Sequence, residues 1–311
     1  MNNTLADCVS YGTDARPADG ARRSTICRRL LALAASLVLE SLFPAARGHA
    51  ADAAGHFADL PGVRLWFTDT GGDGVPIVLL HANTGTADSW RSQSEVFAAR
   101  YRVVAFDRRG WGNSTADPAT GPQPGTVAGD LDALADHLGL PPFHLVGVAG
   151  GGFVAIDYAA WRPARVRSLV VAASTGQFSE PEMTEMTARL EIPELRRQAA
   201  VYREVGPSYR AADPDGTRRW IAIEEHSREP RSPAQPLRTP NTFAKLAAVT
   251  TPVLVIAADA DLLAPPALMR TWATHLADGY QWATIPDSGH AIAWERPALF
   301  NEHVLGFVDR H

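Results

Sequence analysis

Cysteine and lysine are almost absent from this chain of 311 residues. The two cysteines, Cys8 and Cys27, lie near the amino terminus, in a segment whose removal we expect for the reasons given below. Loss of that segment leaves no cysteine for a disulfide, a thiol nucleophile or a thiolate metal site. Lys245 is the single lysine, so Schiff-base chemistry would have one candidate residue.

Hydrophobic runs long enough to cross a membrane are also lacking. The longest candidate, residues 30–43, is too short and is interrupted by Glu40. Arginines precede this run, and Gly48, His49 and Ala50 follow it, which is the order of a secretory leader. We therefore predict that residues 1–50 are a cleaved leader and that the protein is exported to a periplasm or secreted. Two Arg-Arg pairs resemble a twin-arginine leader; the alternative is a start codon assigned upstream of an ordinary leader.

A basic surface is lacking as well. Removal of the leader takes six arginines and four acidic residues from totals of 29 basic and 34 acidic side chains, leaving 23 and 30. This net negative charge, with no basic stripe, argues against a nucleic-acid partner. We expect a small-molecule substrate and no stable membrane insertion once the leader is gone. No histidine or acidic group has metal-ligand spacing, so we expect no metal or other cofactor. The sequence leaves the oligomeric state open.

Apolar strand-like runs alternate with helical stretches through the rest of the chain. This alternation predicts an α/β fold with a mostly parallel, doubly wound sheet, to which an opening hairpin adds an antiparallel edge. The alternation of strands and helices stops at residues 176–242. This segment has amphipathic helical stretches at 180–190, 193–205 and 217–226 and no convincing strand. We assign residues 51–175 and 243–311 to the core, and 176–242 to an inserted helical cap. Predicted strands are 63–68, 76–80, 101–106, 143–148, 166–173, 252–257 and 280–285, and predicted core helices are 126–138, 153–160 and 297–309.

A tight turn from strand to helix lies at residues 145–152. The spacing of Gly147, Ala149 and Gly151 is that of a nucleophile elbow, which lifts its central residue into a cleft at a helix amino terminus. A dinucleotide-binding fingerprint fits poorly, because these glycines do not follow its order. The central residue here is Ala149, whose methyl group has no nucleophilic atom.

Four further motifs follow predicted strands in a fixed order. At these motifs the chain resembles the α/β-hydrolase superfamily, in particular its capped esterases, lactonases, C–C bond hydrolases, haloperoxidases and epoxide hydrolases. The resemblance covers about residues 58–310. The motifs are His81-Ala82-Asn83-Thr84-Gly85, Asp107-Arg108-Arg109-Gly110-Trp111-Gly112-Asn113-Ser114, Ala258-Asp259-Ala260-Asp261 and Ser288-Gly289-His290.

The resemblance implies roles for particular residues. His290 matches the catalytic histidine and Asp261 the acid that orients it, with Asp259 as a rival for that acid. The backbone N–H groups of Asn83 and Gly150 match the oxyanion hole. Ala149 departs from the family pattern at the nucleophile and excludes a covalent ester intermediate at this position.

Three functions remain open. In the first, the protein is an enzyme acting on a small ester, lactone or carbonyl compound, in which the His290–Asp261 dyad activates water or moves a proton on the substrate. In the second, it is a serine hydrolase whose nucleophile has been replaced by Ala149, naturally or by engineering. In the third, it is a non-catalytic protein that keeps the pocket as a ligand receptor.

Overall fold

Nine strands form one sheet in the computed structural model, which describes residues 55–311. The predicted leader lies outside the described residues. The strands run in the order β1-β2-β4-β3-β6-β7-β8-β9, with β5 beside β2. Their bounds are β1 Gly55–Leu60, β2 Val63–Asp69, β3 Pro76–Leu80, β4 Arg102–Phe106, β5 Thr115–Ala116, β6 Phe143–Val148, β7 Val166–Ala172, β8 Val253–Ala258 and β9 Gln281–Ile285.

The sheet is parallel from β4 to β9, which confirms the predicted fold class. Its antiparallel edge comes from β1 and β2, which pair as a hairpin turned at Gly62. Strand β1 was not predicted; it has no continuous apolar run, and its Phe57 faces outward, 41% exposed. The glycine-rich turn at residues 71–74 joins β2 to β3, and these strands are separated in the sheet by β4.

Helices cover both faces of this sheet. Alternation along β3 sends Ile77 to one apolar cluster and Val78 to the other, as expected for a strand buried on both sides. The first cluster includes Trp90 and Phe300, and the second includes Leu131. The helices are α1 Arg91–Phe97, α2 Val127–His137, α3 Gly150–Trp161, α4 Pro181–Leu190, α5 Ala200–Glu204, α6 Pro207–Ala212, α7 Pro214–Glu225, α8 Phe243–Ala247, α9 Pro266–Ala273, α10 Ile292–Glu295 and α11 Pro297–Val308.

The segment between β7 and β8 contains five helices, α4 to α8, and no strand. Two of the three predicted helical pieces correspond to α4 and α7. The piece predicted at 193–205 is wrong in extent, since a 3₁₀ turn at Leu195–Arg197 precedes the short helix α5. Helix α6 was not predicted; Pro207 opens it, a position where proline has no N–H to lose from the helix. The boundaries of the cap stay a prediction.

One buried carboxylate fixes the return of the chain from this insert to the sheet. Asp157 of α3 is 1% exposed and accepts hydrogen bonds from the backbone N–H groups of Arg238, at 2.6 Å, and Thr239, at 3.3 Å. It also forms an ion pair with Lys245, at 2.9 Å. The Lys245 ammonium donates in turn to the carbonyl of Thr239, at 2.7 Å. The single lysine of the chain therefore joins α3, α8 and the end of the insert.

Candidate active site

The elbow between β6 and α3 has the strained geometry that its sequence predicts. Ala149 has φ 48° and ψ −117°, a conformation that costs a residue with a side chain on the order of 1–3 kcal/mol. Its flanking glycines cannot be replaced, because a Cβ on Gly151 would lie 2.1 Å from the carbonyl oxygen of Leu80. A Cβ on Gly147 would lie 2.5 Å from the carbonyl oxygen of Gly151. The turn thus presents a buried methyl group at the amino terminus of α3.

The structure brings His290 together with Asp261. The Nδ1 atom of His290 lies 2.8 Å from Oδ2 of Asp261, whose side chain is fully buried. The other oxygen, Oδ1, accepts hydrogen bonds from the backbone N–H groups of Leu263, at 2.8 Å, and Ala264, at 2.9 Å. Asp259 is exposed on the surface. Of the two candidate acids, Asp261 is the one that faces His290.

Electrostatics favour the charged form of this dyad. Burial lowers the pKa of His290, but the charge and hydrogen bond of Asp261, with the nearby Glu204 and Glu295, outweigh burial and raise that pKa to about 9. Burial raises the pKa of Asp261, but His290 and the two backbone donors outweigh it and lower that pKa below its usual value. Because Nδ1 faces Asp261, Nε2 is the ring nitrogen left for a substrate or water.

The two expected oxyanion donors line one cavity with His290. Asn83 and Gly150 share a cavity of about 320 Å³ with Ala149 and His290. Two side chains hold the Asn83 loop in place: Trp111 donates to its carbonyl, at 2.9 Å, and Arg108 donates to its side-chain oxygen. The four residues singled out by the sequence motifs therefore meet at one opening.

His81, in the same loop, is part of the scaffold. Its ring is fully buried, with Nδ1 2.7 Å from the carbonyl of Ala82 and Nε2 3.1 Å from the backbone N–H of Arg108. Burial, with repulsion from Arg108, holds its pKa well below the usual value. A neutral His81 donates through Nδ1 and accepts through Nε2, so both ring nitrogens are occupied by structure.

Sequence patterns did not identify Glu204, a carboxylate of α5 that is buried in the site. Its Oε2 accepts a hydrogen bond from Thr84 Oγ1, at 2.6 Å, and its carbonyl accepts one from the backbone N–H of Ala291, at 2.9 Å. Glu295 was missed too; it accepts from the backbone N–H of Gly289, at 2.9 Å. Thr84 and Glu204 are 120 residues apart, and no local spacing connects them.

A second, larger cavity adjoins the first. Its volume is about 500 Å³, and the two cavities share Asn83, Gly150, Phe153 and Thr175 as lining residues. Within residues 55–311, no three histidine, cysteine or acidic side chains come together in a way that could hold a metal ion. Over the same residues no helix combines the length and apolarity required to cross a membrane.

Comparison with known proteins identifies the family to which most of the chain belongs. Residues 77–303 match the model of the "Alpha/beta hydrolase family". A protein from Variovorax paradoxus named as a carbamate hydrolase, RutD, is 32% identical over 252 residues, covering 76% of this chain and 93% of that protein. A 2-hydroxy-6-oxononadienedioate/2-hydroxy-6-oxononatrienedioate hydrolase from Burkholderia vietnamiensis is 29% identical over 268 residues, covering 80% and 92%.

Solved structures agree on the fold. A thermophilic esterase from Thermogutta terrifontis superposes with a TM-score of 0.67 at 24% identity, covering 82% of this chain and 98% of the esterase. At that identity the likeness concerns the arrangement of strands and helices, and the chemistry has to be argued from the residues described above.

Proposed function

Because the chain belongs to the alpha/beta hydrolase family, we propose that it hydrolyses a small ester, lactone or other carbonyl compound without an acyl-enzyme intermediate. One observation carries the proposal: the His290–Asp261 dyad is intact and buried beside an open cavity at the elbow. A nucleophile at Ala149 is chemically excluded, and we assign the attack on the carbonyl carbon to water.

In the proposed reaction, His290 acts first as a general base. Its Nε2 takes a proton from a water molecule while the water oxygen bonds to the substrate carbonyl carbon. The backbone N–H groups of Asn83 and Gly150 stabilise the resulting oxyanion. Collapse of this intermediate breaks the bond to the leaving group, which receives the proton from His290. Asp261 holds the ring in the tautomer that this cycle requires and stabilises the imidazolium.

The alanine favours this route by leaving space. A serine side chain at position 149 would add an oxygen atom at the point of the elbow, where the cavity wall is now a methyl group. A water molecule can occupy that position and lie within reach of His290. Glu204 adds a further acceptor at the same wall, already bonded to Thr84.

Loss of the histidine tests the proposal. We expect His290→Ala to reduce turnover of any ester or lactone that the wild-type protein hydrolyses by roughly 10³-fold, because general base catalysis and its orienting partner act as a unit. His137→Ala, at an exposed histidine on α2, is the matched control and should leave turnover unchanged. Turnover that survives in His290→Ala would contradict the mechanism.

A second candidate function is that of a serine esterase whose nucleophile has been substituted. The strained φ and ψ of Ala149 favour it, because the elbow keeps a costly backbone that serves to present a nucleophile. Under this hypothesis the wild-type protein is inactive and Ala149→Ser creates strong activity on small esters. A wild-type protein without turnover that is nonetheless stabilised by a ligand in a thermal-shift screen would instead be a binding protein.

We also propose that residues 1–50 direct export. The basic segment, apolar run and small residues at positions 48–50 support this proposal. Expression in a Gram-negative host should place the mature protein in the periplasmic fraction with Ala51 as its first residue. Recovery of the uncleaved chain from the cytoplasm alone would argue against it.

A further inference from the structure

Arg108 is a buried cation without a carboxylate partner among the residues that the structure describes. It follows β4 and is 5% exposed. Its guanidinium donates to Oδ1 of Asn83, at 3.1 Å from each terminal nitrogen, and to the carbonyl of Ala82, at 2.9 Å, all neutral acceptors. The neighbouring Arg109, by contrast, pairs with Asp130 at 2.6 Å. Burial, with repulsion from Arg228, lowers the pKa of Arg108 to about 9, and no acid within residues 55–311 offsets these effects. A buried charge in this state is costly to the fold.

The guanidinium of Arg108 is not fully hydrogen-bonded. Its Nε is buried and has no acceptor within residues 55–311. Arg108 lines the cavity of about 500 Å³ together with Arg228 from the insert. Both guanidinium groups contact the ring of Trp111, with their central carbons 4.5 Å and 5.1 Å from its centroid. Two cations held against one aromatic ring at a cavity wall create a positive potential that an anion would neutralise.

The rest of this cavity is mainly apolar. Val127, Phe153, Val154 and Leu237 contribute hydrocarbon surface, and Gln235 contributes an amide. Such a lining suits a ligand with a hydrocarbon body and one charged end. A planar carboxylate fits the fixed donors of a guanidinium better than a spherical ion does.

The first cavity carries charges of both signs, because Glu204 and Arg203 line it together with His290. The charged side chains that line the second cavity are Arg108 and Arg228, and none of the described residues adds a carboxylate there. A ligand that spans both cavities would therefore place its anionic end at Arg108 and Arg228 and its reacting carbonyl at the dyad. The shared lining residues Asn83 and Gly150 then meet the middle of the ligand.

We propose that the substrate carries a carboxylate, which Arg108 and Arg228 bind in the second cavity while its reacting carbonyl lies at Ala149. The position of the reacting carbonyl rests on the proposed function. The carboxylate subsite concerns binding alone and does not depend on the reaction. Arg108 has a second effect here, because its bonds to Asn83 couple occupation of the subsite to the placement of that oxyanion-hole loop.

Calorimetric titration of the full chain with phenylacetate and phenylacetamide tests the subsite. These probes have the same shape and differ in charge. We expect phenylacetate to bind at least about tenfold more tightly, since its carboxylate gains charge-assisted hydrogen bonds. Arg228→Gln should weaken phenylacetate binding about fivefold and leave phenylacetamide unchanged. Arg231→Gln, at an exposed arginine three residues further along the insert, is the charge-matched control and should change neither affinity.

Arg108→Met should remove most of the preference for phenylacetate. Because this change also removes bonds to Asn83, the Arg228→Gln result keeps the proposal falsifiable if Arg108→Met fails to fold. Equal affinity for the two probes, or equal losses in Arg228→Gln and Arg231→Gln, would overturn the subsite. The same titration in His290→Ala separates the two proposals: retained phenylacetate preference with no turnover supports the subsite, whereas turnover without that preference overturns the subsite alone.

Discussion

Replacement of Asp261 by asparagine removes the charge that sets the protonation of His290. The two side chains are 2.8 Å apart, and the carboxylate is fully buried, so water screens their attraction little. The pKa of His290 rises from 6.5 to about 9 although burial alone would lower it. A rise of that size corresponds to about 3 kcal/mol in favour of the imidazolium. Asparagine has nearly the same shape and can still accept from Leu263 and Ala264, so the change acts mainly on charge.

We expect the pKa of His290 in Asp261→Asn to fall by at least about two units. Glu204 and Glu295 remain and still raise it, whereas burial continues to lower it. A nuclear magnetic resonance titration of protein labelled in its 10 histidines measures the shift, and a His290→Gln sample identifies the signal. Turnover should fall by roughly 10³–10⁴-fold, because the amide no longer holds the ring in the productive tautomer.

The same substitution changes how stability depends on pH. A raised pKa in the folded state means that the His290 contribution is fully present below 6.5 and is lost as the pH rises through about 9. The lowered pKa of Asp261 means that its own contribution is lost in strong acid, so the advantage of the wild type over Asp261→Asn should be largest between pH 3.8 and 6.5. This advantage should shrink by about 3 kcal/mol above the folded pKa of His290. Urea denaturation on both sides of this window measures it. A constant difference, or a pKa of His290 that stays near 9 in the variant, would refute this account of the dyad.

Three other substitutions test the elbow at Ala149, the contact of Asp157 with the insert, and the buried carboxylate of Glu204. Ala149→Ser should gain labelling by a fluorophosphonate probe, which leaves the wild type unmodified. A gain in small-ester hydrolysis of roughly 10²-fold or more over an inactive wild type would favour the substituted serine esterase instead. Asp157→Ala should lower the free energy of unfolding in urea by about 3 kcal/mol, because it leaves Lys245 and the backbone N–H of Arg238 without their acceptor. Glu204→Gln should lower the pKa of His290 and shift the rising limb of the pH–rate profile to lower pH. In the wild type that limb should climb toward a plateau above about 9, since the base form of His290 is neutral.

Matched controls define what would contradict these predictions. Asp59→Ala removes an aspartate whose side chain is 90% exposed and should change stability little. An equal loss of unfolding free energy in the Asp157 and Asp59 variants would show that the contacts of Asp157 do not stabilise the fold. Glu225→Gln, at an exposed glutamate of the cap, should leave the pH–rate profile in place. A profile unmoved by Glu204→Gln would remove that carboxylate from the electrostatics of His290.

The fold was largely predictable because its strands are buried on both faces. All five residues of β3 and all six of β8 are buried, and this leaves uninterrupted apolar runs in the sequence. Strand β1 lies at the sheet edge, and its sequence has no uninterrupted apolar run. The short helices α5 and α6 of the insert could not be predicted for a related reason. A helix of five or six residues spans too few turns to display periodicity.

The site was predictable only where its residues follow strands. Asp261 and His290 come after β8 and β9, and parallel strands bring those ends to the same edge. The choice between Asp261 and Asp259 needed the three-dimensional turn, since the motif alone fits both. Glu204 reaches the dyad through packing of the insert, and nothing in its own neighbourhood of the sequence marks it.

The ion pair between Lys245 and Asp157 gives this chain one protected side-chain amine, whose reaction with acylating reagents can be followed. With a single lysine, an ester reagent that acylates amines has two targets, the α-amino group and Lys245. The lysine side chain is 13% exposed and its ammonium donates three hydrogen bonds, so acylation requires this junction to open first. The rate of acylation at Lys245 therefore reports how often the insert detaches from α3, and mass spectrometry can measure this rate without an added label. Coupling through amines should accordingly attach the folded protein by its α-amino group and leave Lys245 unmodified.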